Sequence, residues 1–337
     1  MISVIVPIYN EEKYLEACVR SIAEQDFPKE ELEVIFADGM STDRSREILS
    51  ELSLRHPYMR VVDNPQRTVS YALNAGIRAA KGDIIIRLDA HSVFPKNYFS
   101  TLVQYLERLH ADNVGGVCRT LPANNTSKCR GIAAVMQHPF GMGNSYFRIG
   151  AHEIREVDTV PFGCFRRDLF EKIGYFDTCL IRNQDDEFNG RIIKNGGRIF
   201  LLPQLVIDYY ARRTIKDTGR MFYQYGLFKP LVNKKLGKAA TLRQFVPLLF
   251  VIGLFLGAVL SLFCHPVAYA YSAVLALYLL VSAAVSLQVA IREDCPEMFF
   301  WMPSSFFVVH FWYGFGYLIG LFKLLFHSRF DVKSSRR

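Results

Sequence analysis

Short apolar runs alternate with amphipathic stretches over the first 120 residues. Residues 2–7 are β-rich, and residues 32–37 form a second apolar run that stops at Asp38-Gly39. Residues 60–62, 83–88 and 114–119 read as three further strands. Helices are expected after Asn10, from Ser41-Thr42-Asp43 through Leu54, over 69–80 and over 95–109. Asn10 has the chemistry of an N-cap, with Glu11 and Glu12 placed in a first turn whose dipole favours carboxylates. This alternation predicts an α/β domain with a parallel sheet and helices on both faces. In such sheets ligands sit beyond the carboxyl ends of the strands, where Asp38 and Asp89 stand.

The pattern then changes. Residues 244–291 contain no Lys, Arg, Asp or Glu, and neither do residues 298–322. A spanning helix needs about 20 apolar residues. The first block is long enough for two helices, with Cys264-His265-Pro266 as the break, and residues 299–326 are a third apolar stretch. Gly316 and Gly320 make a close-packing G-x-x-x-G within it. The flanks are basic: residues 205–243 carry nine Lys/Arg against two Asp/Glu, and residues 323–337 five against one. Cationic flanks imply a membrane and place both ends in the cytoplasm. Three crossings would put the ends on opposite sides, so either the third segment is re-entrant or the tail crosses despite its charge.

Most of the net charge of +8 therefore lies beside the apolar block. That argues against nucleic acid as a partner. The seven cysteines are dispersed, with no C-x-x-C, as expected for reduced thiols in the cytosol. No signal peptide is expected ahead of a strand that begins at Ile2. Neither G-x-G-x-x-G nor a P-loop is present, which excludes a dinucleotide dehydrogenase and a P-loop enzyme.

Four motifs follow in order: Val6-Pro7-Ile8-Tyr9-Asn10-Glu11-Glu12, Ala37-Asp38-Gly39-Met40-Ser41-Thr42-Asp43, Arg87-Leu88-Asp89-Ala90-His91, and Gln184-Asp185-Asp186-Glu187-Phe188 with Arg191. As an ordered set they resemble the inverting family 2 glycosyltransferases. The likeness covers residues 1–230 and runs to membrane-anchored bacterial enzymes of exopolysaccharide assembly, of the succinoglycan glucosyltransferase type. It implies a GT-A fold, a Rossmann-like mixed sheet with helices on both faces, followed by C-terminal transmembrane helices. The organisation it implies is a catalytic domain over 1–230, a basic juxtamembrane segment over 205–243, a transmembrane region over 244–326 and a basic tail over 327–337.

The resemblance also implies roles. Pro7, Tyr9, Glu11 and Asp38 line the pocket for the nucleotide, with Arg67 and Asn74 reaching the donor. Asp89 holds the ribose or, with His91, a divalent ion, Mn²⁺ or Mg²⁺, which neutralises the diphosphate leaving group. The family commonly has D-x-D where this chain has Asp89-Ala90-His91. Inversion needs one base for the acceptor hydroxyl. Asp185 takes that place, with Asp186 its rival by adjacency, Glu187 a supporting acid and Arg191 a partner one turn on, placed on the acceptor and phosphate side. Gln184 stands where the family usually has Glu, so a lowered pKa is expected at Asp185. Gly163 and Cys164 fall in a segment facing donor and acceptor, and Arg213 belongs to basic residues suited to a pyrophosphate. The Q-x-x-R-W of processive synthases is absent, which points to single additions.

The expected activity is transfer from a nucleotide-sugar, UDP-linked, to a lipid-linked glycan at the cytoplasmic face of the plasma (inner) membrane. Transfer straight to polyprenyl phosphate is the second reading. A non-catalytic, membrane-tethered binder is the third, and Asp89 together with Asp185 argues against it, since binding alone needs no base.

Overall fold

The structure is a computed structural model that describes residues 1–239 and 241–330. Residues 331–337 of the expected basic tail lie outside the described residues. In chain order the strands are β1 (Ile2–Ile8), β2 (Leu32–Asp38), β3 (Met59–Asp63), β4 (Ile84–Arg87), β5 (Ser92–Val93), β6 (Asn113–Leu121), β7 (Arg155–Glu156), β8 (Cys164–Arg166) and β9 (Ile199–Tyr210). The helices are α1 (Leu15–Ala23), α2 (Ser45–Arg55), α3 (Val69–Ala79), α4 (Tyr98–Arg108), α5 (Ser127–Val135), α6 (Pro139–Met142), α7 (Tyr146–Ile149), α8 (Asp168–Ile173), α9 (Gln184–Lys194), α10 (Ile215–Leu236), α11 (Val246–Ser261), α12 (His265–Arg292) and α13 (Met298–Leu325). They fall into two compact units, one of residues 1–119 and 150–209, the other of residues 120–149 and 210–337.

The first unit is built on a mixed sheet of order β3-β2-β1-β4-β8-β6-β9-β5, with β7 on β9. β1 to β4 are parallel, and β8 is antiparallel to both β4 and β6. β2 is buried at every residue and β1 at all but Pro7, as strands covered on both faces must be. That is why they read as continuous apolar runs. Chain order reverses at β1, which lies between β2 and β4, so the carboxyl ends of these three strands form one edge.

Two local expectations are corrected. Asn10 caps no helix: it takes a left-handed conformation (φ 57°), and α1 begins only at Leu15. Its side-chain oxygen instead accepts from Thr42 N at 2.8 Å, and its N–H donates to Ser41 Oγ at 3.0 Å. Glu11 and Glu12 therefore lie in a loop ahead of the helix, free of the role the dipole argument assigned them.

The second unit gathers α5 to α7, α10 and three helices long and apolar enough to cross a membrane, spanning Leu242–Ser261, His265–Arg292 and Met298–Leu325. The break falls at Cys264, as the proline predicts. α13 is continuous over 28 residues, roughly 42 Å at about 1.5 Å per residue. Its Gly316 and Gly320 pack backbone to backbone on α10, at Tyr223 and Leu227, where any Cβ would strike a carbonyl. Gly226 of α10 is close to Tyr313 in the same way. The glycine motif thus joins the third long apolar helix to the basic helix α10. α5 also packs on α13, with Gly131 against Trp301 and Met302, and Arg130 Nη2 donates to the Glu293 carbonyl at 2.7 Å. Within the apolar bundle His310 is held between the Tyr278 hydroxyl (2.9 Å) and the Phe140 carbonyl (2.8 Å).

Candidate active site

At the end of β2, Asp38 is fully buried. Its carboxylate accepts from Ser41 N at 3.2 Å and pairs with Arg46 of α2 at 3.1 Å, and Arg46 also reaches Asp63 at 2.8 Å. Pro7 lies in β1 opposite Ala37, and the Tyr9 ring borders Gly39. Glu11 N donates to Ser45 Oγ at 2.8 Å, so the loop after β1 is tied to the start of α2.

Just beyond β4, contacts rather than strand geometry bring Arg87, Asp89 and His91 together. Arg87 Nη2 contacts Asp89 Oδ1 at 3.0 Å and Asp185 Oδ2 at 3.5 Å. His91 Nε2 lies 3.7 Å from Asp89 Oδ2, and its Nδ1 lies 3.3 Å from Glu11 Oε1. Glu11, His91, Asp89, Arg87 and Asp185 form one chain of contacts, which brings three of the four sequence motifs together.

Burial pushes the Asp185 carboxyl up to about 6; Arg87 opposes the rise, while the charges of Asp89 and Asp186 add to it. The lowered value expected from Gln184 is therefore corrected. Removing one acidic neighbour matters less than desolvation at the sheet edge. Nothing local in the third motif assigns Arg87 a role; the signal the sequence offers is an arginine closing an apolar strand, two residues before a site aspartate.

Asp186 and Glu187 share the first turn of α9 with Asp185, but Glu187 is buried and turned to Arg191. Arg191 donates to both Glu187 oxygens (2.7 and 2.9 Å) and to the carbonyls of Ile173 (2.7 Å), Gly174 (3.0 Å) and Tyr175 (2.7 Å). A guanidinium has five N–H donors, so none is left for a phosphate, and Arg191 holds the turn after α8 instead. Asn74 behaves alike: its amide donates to Phe176 O at 2.8 Å and accepts from Phe176 N at 3.0 Å. Arg67 is exposed, in a left-handed turn (φ 60°) before α3. Cys164 is fully buried in β8, between Ile86 and Val114, and burial pushes its thiol well up, which removes it as a nucleophile. Gly163 accommodates no side chain, because a Cβ would strike Asn113 and the Phe165 ring. Arg213 belongs to the second unit, ahead of α10.

Among the described residues no three His, Cys, Asp or Glu side chains gather as a metal site. The two donors present, a carboxylate and an imidazole at the end of β4, still suit Mg²⁺ or Mn²⁺. These ions are commonly held by one or two protein groups and completed by substrate phosphates.

A sheet of this order, with acidic groups at the reversal edge, defines a GT-A protein, and the three apolar helices after it are candidate membrane spans. The chain belongs to glycosyl transferase family 2, whose description it matches over residues 3–174. It is 30% identical over 242 residues to the dolichyl N-acetyl-α-D-glucosaminyl phosphate 3-β-D-2,3-diacetamido-2,3-dideoxy-β-D-glucuronosyltransferase of Methanococcus voltae, covering 69% of this chain and 74% of the relative. It is 29% identical over 247 residues to the succinoglycan biosynthesis protein ExoA of Rhizobium meliloti, covering 73% and 74%. Among solved structures, the mannosyltransferase PcManGT of Pyrobaculum calidifontis, in complex with GDP-Man and Mn²⁺, matches with a TM-score of 0.60 at 20% identity, covering 96% of this chain and 87% of that one. That likeness is one of fold.

Proposed function

We propose that the protein is a membrane-bound inverting glycosyltransferase. It moves a sugar from a nucleotide-diphosphate sugar, UDP-linked, to a lipid-linked or polysaccharide acceptor in cell-surface glycan synthesis. The observation that carries this reading is Asp185. It stands at a helix start, 3.5 Å from the arginine that also pairs with Asp89, and burial pushes its carboxyl up to about 6. Such a group is largely ionised at neutral pH and is a stronger base than an ordinary aspartate.

In this reaction Asp185 takes the proton of the acceptor hydroxyl as that oxygen bonds to the anomeric carbon. The bond from this carbon to the diphosphate oxygen breaks, the electron pair leaves with the nucleoside diphosphate, and configuration inverts in one displacement. Asp38, with Pro7, Tyr9 and Glu11, forms the wall for the nucleotide. Asp89 and His91 would hold Mn²⁺ or Mg²⁺. The bound ion supplies positive charge to the leaving diphosphate.

Residues 1–230 serve as the catalytic domain, 205–243 as a juxtamembrane segment, and 244–326 as the anchor. Basic flanks support the cytoplasmic face of the inner membrane. The Methanococcus relative is named for transfer onto a dolichyl N-acetylglucosaminyl phosphate, which supports a lipid-linked sugar as acceptor over a bare lipid phosphate.

The test uses detergent-purified protein with a panel of UDP- and GDP-sugars, Mn²⁺ or Mg²⁺, and short polyprenyl acceptors with and without a first sugar. The product anomer is read by NMR. Inverted product on a sugar-bearing acceptor is expected. Retained configuration, or no transfer from any donor, sinks the proposal.

A further inference from the structure

Arg87 ends a strand whose other three residues are isoleucines, and it is only 6% exposed. A buried guanidinium is costly unless its surroundings compensate it. Its backbone N–H donates to the Gly163 carbonyl at 2.9 Å, which ties it to the turn before β8. The preceding residue, Phe162, has φ 50°, a conformation bulky side chains rarely adopt. That backbone carries the Phe162 ring over the guanidinium, 5.2 Å from Cζ. The ring is held in turn by Phe94, edge-on at 5.8 Å, and the Phe162 carbonyl accepts from Tyr98 Oη at 3.2 Å. Arg87 Nε is buried without a hydrogen-bond partner. What the side chain does reach is two carboxylates, that of Asp89 two residues on and that of Asp185 from a distant part of the chain, both through Nη2. A residue kept only for packing would not leave a buried donor unpaired while bridging two acids.

We infer that Arg87 is a positioning residue for sugar transfer, holding Asp185 in register with Asp89 through one capped guanidinium nitrogen. This rests on the reading of Asp89 as donor-side and Asp185 as the base. Arg87 itself touches neither substrate, so its loss acts on turnover and leaves nucleotide binding in place. Lysine restores the charge but not the planar group that stacks under Phe162.

The test compares full-length Arg87→Met, Arg87→Lys and Phe162→Leu with the wild type in detergent, with folding followed by thermal melting. Calorimetry with UDP and Mn²⁺ reads the nucleotide site. Turnover is read with the active donor of the panel and a synthetic polyprenyl-diphosphate-linked sugar. Arg87→Met is expected to lower kcat by about 10²-fold, the scale of a small misplacement of a reacting group. Its UDP affinity should stay within about threefold, and Arg87→Lys should regain about tenfold of the lost turnover. If Arg87→Met does not fold, Phe162→Leu decides by the same split, with a loss of about tenfold in kcat. Unchanged kcat, or UDP affinity falling in step with kcat, overturns the inference. A wild type that transfers no sugar overturns the functional reading itself, whereas an active wild type with an equally active Arg87→Met overturns Arg87 alone.

Discussion

Glu187 and Arg191, one helical turn apart on α9, form a two-point ion pair at 2.7 and 2.9 Å. The three remaining guanidinium donors close on the carbonyls of residues 173–175. This pair fixes the turn after α8 against the helix that carries Asp185. Phe188 supports the same junction by stacking on Phe176 and lying under the Arg191 guanidinium.

Arg191→Ala should therefore act on stability. Removing one partner of a buried pair costs about 3–5 kcal/mol. Melting in detergent should show that loss, with UDP affinity of the folded fraction unchanged. A variant of normal stability and impaired nucleotide binding would return Arg191 to a ligand role.

Asp185→Asn keeps size and shape but takes no proton. Turnover should fall on the order of 10²–10⁴-fold with donor affinity nearly constant. Asp186→Asn should cost much less, because adjacent helical residues point about 100° apart. Steady-state kinetics on both variants checks the ranking, and a reversed order would move the base to Asp186.

The raised Asp185 value has two consequences of opposite sign. Turnover should fall as pH drops through about 6, when the base becomes protonated. Stability runs the other way, since a carboxyl raised on folding contributes stability below its unfolded value of about 3.9 and loses it as pH rises through about 6. Asp185→Asn should then melt higher than wild type at pH 8 while being nearly inactive. Equal melting temperatures at pH 8 would contradict the burial argument.

Removing residues 241–337 should leave a protein that still needs detergent. α10 packs on α13 through Gly219, Tyr223, Gly226, Leu227 and Pro230, so deleting α13 uncovers that face. Sedimentation without detergent reads the outcome, and a monodisperse, soluble truncation would show that α10 is not bound to α13 in this way.

Gly163→Ala should cost about 1–3 kcal/mol from overpacking, because its Cβ would meet Asn113 and Phe165. Melting of the purified variant checks this, and a neutral substitution would mean that the turn before β8 yields easily.

The sequence by itself determined the strands that are covered on both faces, since their burial makes them apolar at nearly every position. It determined that Asp38 and Asp89 stand at strand ends, where polarity resumes, and that the apolar block breaks at Cys264-His265-Pro266. Only the tertiary structure decided who meets whom. Arg87 and Asp185 are joined because β4 and α9 converge on one edge, and no local period records that convergence. Asn10 resembles a helix cap, yet the neighbouring β2 loop offers Thr42 N as a competing donor. Asn74 and Arg191 look like ligand residues, but loop carbonyls and backbone N–H groups across long sequence separations occupy them first. Local propensity and polarity are written residue by residue. The partner of a polar group is set by register and packing, which depend on the whole chain at once.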